Sequence, residues 1–144
     1  MISIKENVNS IEEFNYLYDA VGWGSYDEKV SEKALANTMY SVSVYDDDKI
    51  IGYGRIIGDG ICFLYIHDVM VAPKYQSQKI GTKIMNNLLD KINEIRKENP
   101  LYEENLTQWI FCSEAVFEYP PYFTEGSYGE KKMQHQIYNS FLFY

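Results

Sequence analysis

One segment limits the folds open to this chain more than any other. Val69-Met70-Val71-Ala72-Pro73-Lys74-Tyr75-Gln76-Ser77-Gln78-Lys79-Ile80-Gly81-Thr82 runs from an apolar, strand-like stretch through a short polar loop into a helix that opens near a glycine. The helix is the surest element of the chain. Ile84, Met85, Leu88, Leu89, Ile92 and Ile95 form one apolar face, with Lys83, Asn86, Asn87, Asp90 and Lys91 between them. It must stop before Pro100. A strand, a tight loop and a helix start bring several free backbone N–H groups and the positive end of a helix dipole to one spot. That spot suits an anion, and a pyrophosphate in particular.

The flanking residues extend this unit into a mixed α/β domain. Residues 2–4 read as a short first strand. Ser10-Ile11-Glu12-Glu13 is a capping box ahead of Phe14, Leu17, Tyr18 and Val21 at helical spacing. Ser25-Tyr26-Asp27-Glu28 offers a second box and a second helix to about Ala36. Met39 to Tyr45 and Ile50 to Ile57 alternate as a hairpin around Asp46-Asp47-Asp48-Lys49. Ile61 to Val71 forms a long, mostly apolar strand of the mid-sheet kind. Gln108 to Cys112 reads as the next strand, so strand, helix and strand make a right-handed parallel unit. A closing strand is expected around Ile137 and Phe141-Leu142-Phe143.

The loop residues resemble the acetyl-CoA-binding signature of the GCN5-related N-acetyltransferases, in which Gln/Arg-x-x-Gly-x-Gly/Ala follows a strand ending in Val-x-Pro. Gln76 stands at the Gln/Arg position, Gly81 at the second glycine, and Val71-Ala72-Pro73 at the strand exit. Lys79 replaces the first glycine. If that position takes positive φ, the lysine costs on the order of 1 kcal/mol of strain. Its ammonium offsets part of this by facing a phosphate. The element order β-α-α-β-β-β-α-β-(α)-β is that of the same family, and the resemblance covers residues 1–112 well and the rest loosely. Val21-Gly22-Trp23 is similar to the acceptor-side segment of small bacterial members.

The resemblance implies a single N-acetyltransferase domain over residues 1–144. Its fold class is α/β (α+β), with a central mixed, mostly antiparallel sheet of about six strands flanked by helices. The implied donor is acetyl-CoA, held by Val69, Met70 and Val71 and by Gln76, Ser77, Gln78, Lys79, Ile80, Gly81 and Thr82. In the family a strand bulge splays a backbone N–H that polarises the thioester carbonyl. The acceptor is a primary amine, which at neutral pH must lose a proton before it attacks. Asp68 is expected to accept it, with Glu114 next in line and His67 nearby. Strict alternation would put Asp68 and Met70 on one face of the strand and His67 and Val69 on the other. Tyr122, in Tyr122-Phe123-Thr124-Glu125-Gly126, keeps the family's Tyr-x-x-x-Gly and is expected to protonate the departing thiolate, although Ser127 replaces the usual phenylalanine. Tyr119 and Tyr128 are substitutes. A non-catalytic acyl-CoA-binding domain of the same fold is the alternative.

Composition narrows the partners. The 144 residues carry a net charge of −8, which argues against nucleic acid and mildly favours a small cationic acceptor. The longest apolar run, Ile61 to Ile66, is far short of the roughly 20 residues that span a bilayer. No secretory signal opens the sequence, and Cys62 and Cys112 read as buried thiols, so a cytoplasmic protein is expected, with a homodimer as an open option. Two cysteines and the distant His67 and His135 lack metal-ligand spacing, and Asp46-Asp47-Asp48 lacks the glycine and glutamate of a calcium loop, so no metal is expected. Neither Gly-x-Ser-x-Gly nor Gly-Lys-Ser/Thr occurs.

Overall fold

A computed structural model describes residues 1–61, 63–98 and 109–112. Along the chain it has β1 (Ile2–Glu6), α1 (Ile11–Ala20), α2 (Glu28–Ala36), β2 (Tyr40–Asp46), β3 (Lys49–Gly58) and β4 (Phe63–Val71). A single 3-10 turn (Pro73–Tyr75), α3 (Ile80–Glu98) and β5 (Trp109–Cys112) follow. The five strands lie in sequence order in one sheet, antiparallel up to β4 and parallel between β4 and β5. The mixed, mostly antiparallel architecture expected from the sequence is the one observed. The sixth strand expected near residue 141 lies outside the described residues.

Local chemistry accounts for the element boundaries. Ser10 caps α1, its hydroxyl accepting from the Glu13 amide at 3.3 Å, as the capping box requires. In α2 the cap is Asp27 rather than Ser25, with its carboxylate accepting from the Lys29 amide at 3.0 Å. The Ser25 amide turns back to Asp19 Oδ1 at 2.7 Å, so the chain between the helices is still in its turn at Ser25 and the second helix starts later than its first capping signal.

The sheet has a different partner on each face. One face packs Val42, Val44, Ile51, Ile56, Leu64, Ile66, Val69 and Val71 against Ile80, Ile84, Met85, Leu88, Leu89 and Ile92 of α3. The other packs Tyr45, Ile50, Tyr53, Met70 and Ala72 against Phe14, Leu17 and Tyr18 of α1 and Leu35 of α2. Burying each large aliphatic side chain of α3 stabilises the fold by about 1.5–3 kcal/mol. Two glycines of β3 let the helix come this close. A Cβ on Gly52 would lie 2.9 Å from Ile84 Cδ1, and one on Gly54 would lie 2.6 Å from Ile84 Cγ2 and 3.0 Å from Leu88 Cδ1.

Between β3 and β4 the register slips. Tyr53 faces Met70 but Arg55 faces His67, so Gly54 alone stands opposite both Asp68 and Val69. Asp68 takes up the extra residue with φ +53°, which makes β4 a bulged strand.

Candidate functional site

The bulge rewrites the faces of β4. A left-handed residue breaks the two-residue alternation, so the side chains of His67 and Asp68 project to the same side. Asp68 meets Tyr18 of α1 and Arg55 of β3, and Met70 packs in the cluster with Tyr18, while Val69 packs with α3. The expected sharing of a face by Asp68 and Met70 holds, but His67 joins them and Val69 alone takes the other side. Aspartate is among the few residues with a Cβ that tolerate positive φ, and at Asp68 that conformation breaks the alternation.

Asp68 is fully buried and its carboxylate is held from three sides. Arg55 Nε donates to Oδ2 at 2.6 Å. The Tyr18 hydroxyl donates to Oδ1, and His67 Nδ1 lies 2.5 Å from the same oxygen. Burial pushes the carboxyl upward, but the contact with His67, the charges of His67 and Arg55 and the Tyr18 hydroxyl outweigh it and leave Asp68 below the ordinary carboxylate range. The same burial and contact raise the Tyr18 phenol, which stays protonated and donating. Asp68, the residue expected to take the amine proton, is thus a buried carboxylate engaged by three side chains. Three hydrogen-bonding positions of its carboxylate are taken by neighbouring side chains, and none of its surface is exposed.

Arg55 extends the network. Its Nη1 donates to the Ala34 carbonyl at 2.6 Å and to Thr38 Oγ1 at 3.1 Å, which ties the end of α2 to the bulge. The Phe14 ring lies 5.5 Å below the guanidinium. Tyr18 also packs on Trp23 and Tyr26, with ring centroids 5.5 and 5.1 Å away, so an aromatic wall from the α1–α2 connection stands beside the bulge. Sequence reasoning passed over Tyr18 and Arg55. The signal for Arg55 was its place as a lone cation in the apolar run Gly52 to Ile57, where a buried charge needs a partner. Tyr18 carried none, because it sits in the apolar stripe of its helix.

Past the bulge, β4 offers its main chain selectively. The Ala72 amide donates to the Ile51 carbonyl at 2.8 Å, so Ala72 and, two residues back, Met70 turn their backbone groups toward β3. Val69 and Val71 turn theirs to the opposite edge, where the Val71 carbonyl accepts from Gln76 Nε2 at 3.0 Å. Met70 has its main chain engaged with β3 and its side chain in the core.

The loop after β4 has an unusual backbone course. Ser77 and Lys79 both have left-handed φ, +61° and +62°, each costing on the order of 1 kcal/mol for a residue with a Cβ. The Lys79 strain was foreseen; that of Ser77 was not. Changes of handedness along successive residues turn their N–H groups into one concavity. Lys79 O accepts from the Lys83 amide at 3.1 Å, so α3 starts at Ile80, and the amides of Ile80, Gly81 and Thr82 lie ahead of any intrahelical acceptor. Ser77, Gln78 and Lys79 are exposed. The side-chain amides of Gln76 and Gln78 are turned inward, to Val71 O and Lys74 O, and brace the loop. Glu114, Tyr122, Tyr119 and Tyr128 lie outside the described residues, as do Cys62 and His135.

A bulged strand with outward amides runs into a loop of left-handed residues and the free amides of a helix start, a geometry suited to an anion. The family model described as acetyltransferase (GNAT) matches residues 7–105. The chain belongs to that family. A curated relative from Prochlorococcus marinus, an uncharacterized N-acetyltransferase, is 30% identical over 86 residues, which are 57% of this chain and 48% of the relative. The chain spans about half the length of the curated relatives it matches. Among solved structures, a protein of unknown function from methicillin-resistant Staphylococcus aureus, described as a probable acetyltransferase, superposes with a TM-score of 0.68 at 26% identity, covering 79% of this chain and 80% of the other. A GNAT-family acetyltransferase from Streptococcus pneumoniae gives 0.60 at 28%, covering 86% and 81%. Among the described residues, no helix is long and apolar enough to cross a membrane, and no cluster of His, Cys, Asp and Glu is arranged to hold a metal.

Proposed function

We propose that residues 1–144 act as one N-acetyltransferase domain that moves an acetyl group from acetyl-CoA to the primary amine of a small, cationic acceptor by direct attack. The observation that carries the reading is the bulge at Asp68, which leaves the Val69 and Val71 amides on the edge away from β3, followed by the left-handed loop at Ser77 and Lys79 and the free amides that open α3. In this reading the amides of Ser77 to Thr82 take the pyrophosphate. Val69 and Val71 bind the pantetheine arm, and the Val69 amide orients and polarises the thioester carbonyl. Bound acetyl-CoA supplies the electrophilic thioester; the chain supplies alignment, donors and a place for the protons. Tyr122 remains the proposed proton donor to the thiolate, on its resemblance to the family segment. A cationic acceptor is supported by the net charge of −8 and by the Trp23, Tyr26 and Tyr18 wall, which favours a cation over an anion.

Calorimetric titration with acetyl-CoA tests the placement. Gly81 is buried at the helix start, and Gly81→Val puts a branched side chain at the phosphate approach. The variant should lose at least tenfold in affinity while staying folded. Unchanged affinity would move the pyrophosphate elsewhere. The non-catalytic reading is favoured by one observation, the strained Lys79 where the family has glycine. It predicts binding of acetyl-CoA without thiol release in the presence of any amine.

A further inference from the structure

We infer that His67, not Asp68, is the catalytic group that takes the acceptor's proton, and that Asp68, Arg55 and Tyr18 form a positioning relay behind it. The inference rests on the acetyltransferase reading above and adds to it a residue and a role. His67 is the first residue of β4 beyond the described pairing with β5, which ends at Ile66 and Cys112. It stands one residue before the bulge and two before the outward-facing Val69 amide. Its side chain is 27% exposed, whereas that of Asp68 is fully buried. Of the two, only the imidazole is open to an incoming amine.

The geometry fixes which nitrogen is used. Nδ1 lies 2.5 Å from Asp68 Oδ1, and a carboxylate there selects the tautomer with the proton on Nδ1. Nε2 then carries the lone pair, and no described residue donates to it or accepts from it. Asp68 is in turn clamped by Arg55 Nε on its other oxygen and by the Tyr18 hydroxyl, so the imidazole is oriented by a group that cannot swing away. The bulge makes this possible. With ordinary alternation, Asp68 and His67 would lie on opposite faces of the sheet. The charged and titratable groups that face the pair are Arg55 from β3, Tyr18 from α1 with Tyr26 beyond it, and Tyr65 on β4 itself, with its ring 6.0 Å from His67.

The proton balance is explicit. An acceptor ammonium carries three N–H bonds and the product amide carries one, so two protons leave the nitrogen. His67 Nε2 takes the first, which frees the lone pair that forms the N–C bond, and releases it to solvent. The second leaves as the C–S bond breaks and is matched by the proton that ends on the thiolate sulfur.

His67→Gln keeps a polar side chain of similar reach without the titrating nitrogen. At neutral pH it should lower kcat by at least 100-fold with acetyl-CoA affinity unchanged by calorimetry. The loss should shrink as pH rises and the amine deprotonates in bulk water. Added imidazole should restore part of the activity of His67→Ala, an effect that a purely structural histidine would not show. If either variant fails to fold, ethoxyformylation of a His135→Gln protein reads the same group, with inactivation reversed by hydroxylamine as the expected result. Wild-type kcat and pH profile in His67→Gln would overturn the inference. So would full turnover after complete modification, or a loss that neither high pH nor imidazole relieves. A wild-type protein that fails to bind acetyl-CoA overturns the acetyltransferase reading, and the inference with it. A protein that binds acetyl-CoA and turns over without His67 overturns the inference alone.

Discussion

At the residue scale the account turns on Asp68. It sits in a left-handed conformation at the bulge, without exposure, against Arg55. Removing one member of such a buried pair leaves the other charged and unmatched, which costs about 3–5 kcal/mol. Asp68→Asn should therefore destabilise the fold by roughly that amount in urea unfolding, a larger effect than any surface carboxylate should give. The pH dependence follows from the lowered pKa of Asp68. The stability it contributes is fully present above the unfolded carboxyl value, near 3.9, and is lost as pH falls through the lower folded value. Unfolding curves taken from about pH 5 downward should steepen in wild type and lie flatter in Asp68→Asn. Equal slopes would mean that the carboxylate is not held as the structure holds it. Lys79 gives a second residue-scale prediction. Lys79→Gly removes the left-handed strain and should stabilise the fold by about 1 kcal/mol. It should leave acetyl-CoA affinity similar and flatten its salt dependence, because one cation near the phosphates is gone. A large loss of affinity at every salt concentration would show a direct contact by the ammonium.

At the element scale the close approach of α3 to β3 is the feature to disturb. Gly54 has room for no side chain, with Ile84 Cγ2 2.6 Å from the position of a Cβ. Gly54 also stands alone opposite Asp68 and Val69, so displacing the helix there displaces the bulge. Gly54→Ala should cost about 1–3 kcal/mol by overpacking, measured as a lower urea midpoint. It should weaken acetyl-CoA binding as well, although residue 54 lies on the core side of the sheet. A variant with wild-type stability would mean that α3 retreats at little cost. The wider elements were readable because their signals are local. α3 was legible from its apolar face, α1 from Ser10 and Glu13, and the hairpin from alternation around Asp46 to Lys49. The bulge was not legible. It arises from a register slip between two strands, and although aspartate tolerates positive φ, its place in an apolar strand run does not say that it adopts it.

At the scale of the whole molecule, buried tyrosines set an alkaline limit. Burial pushes Tyr53 up to about 12 and, with the hydrogen bond to Glu13, Tyr45 up to about 12. A tyrosine whose folded pKa is raised contributes stability that is complete below its unfolded value, near 10, and is lost as pH rises through the folded value. The protein should lose stability between about pH 10 and 12, with phenolate absorbance rising alongside unfolding; ionisation complete near pH 10 in a still folded protein would contradict the burial described. The candidate site shows the same division between local and long-range information. The backbone course of its loop, Gln76 to Thr82, was legible, because a strand exit, a turn and a helix start follow one another in sequence. The cluster of Tyr18, Arg55, His67 and Asp68 was not, because its members meet only through the bulge and the packing of α1 across the sheet.

The central claim is that this bulged strand and loop present acetyl-CoA to an amine. Free thiol released from acetyl-CoA, followed against a panel of small primary amines with and without the protein, tests it most directly. The account predicts thiol release that needs both protein and amine and is strongest with cationic acceptors. Acetyl-CoA that binds but yields no thiol with any amine would contradict it, and would leave a binding domain on an acetyltransferase fold.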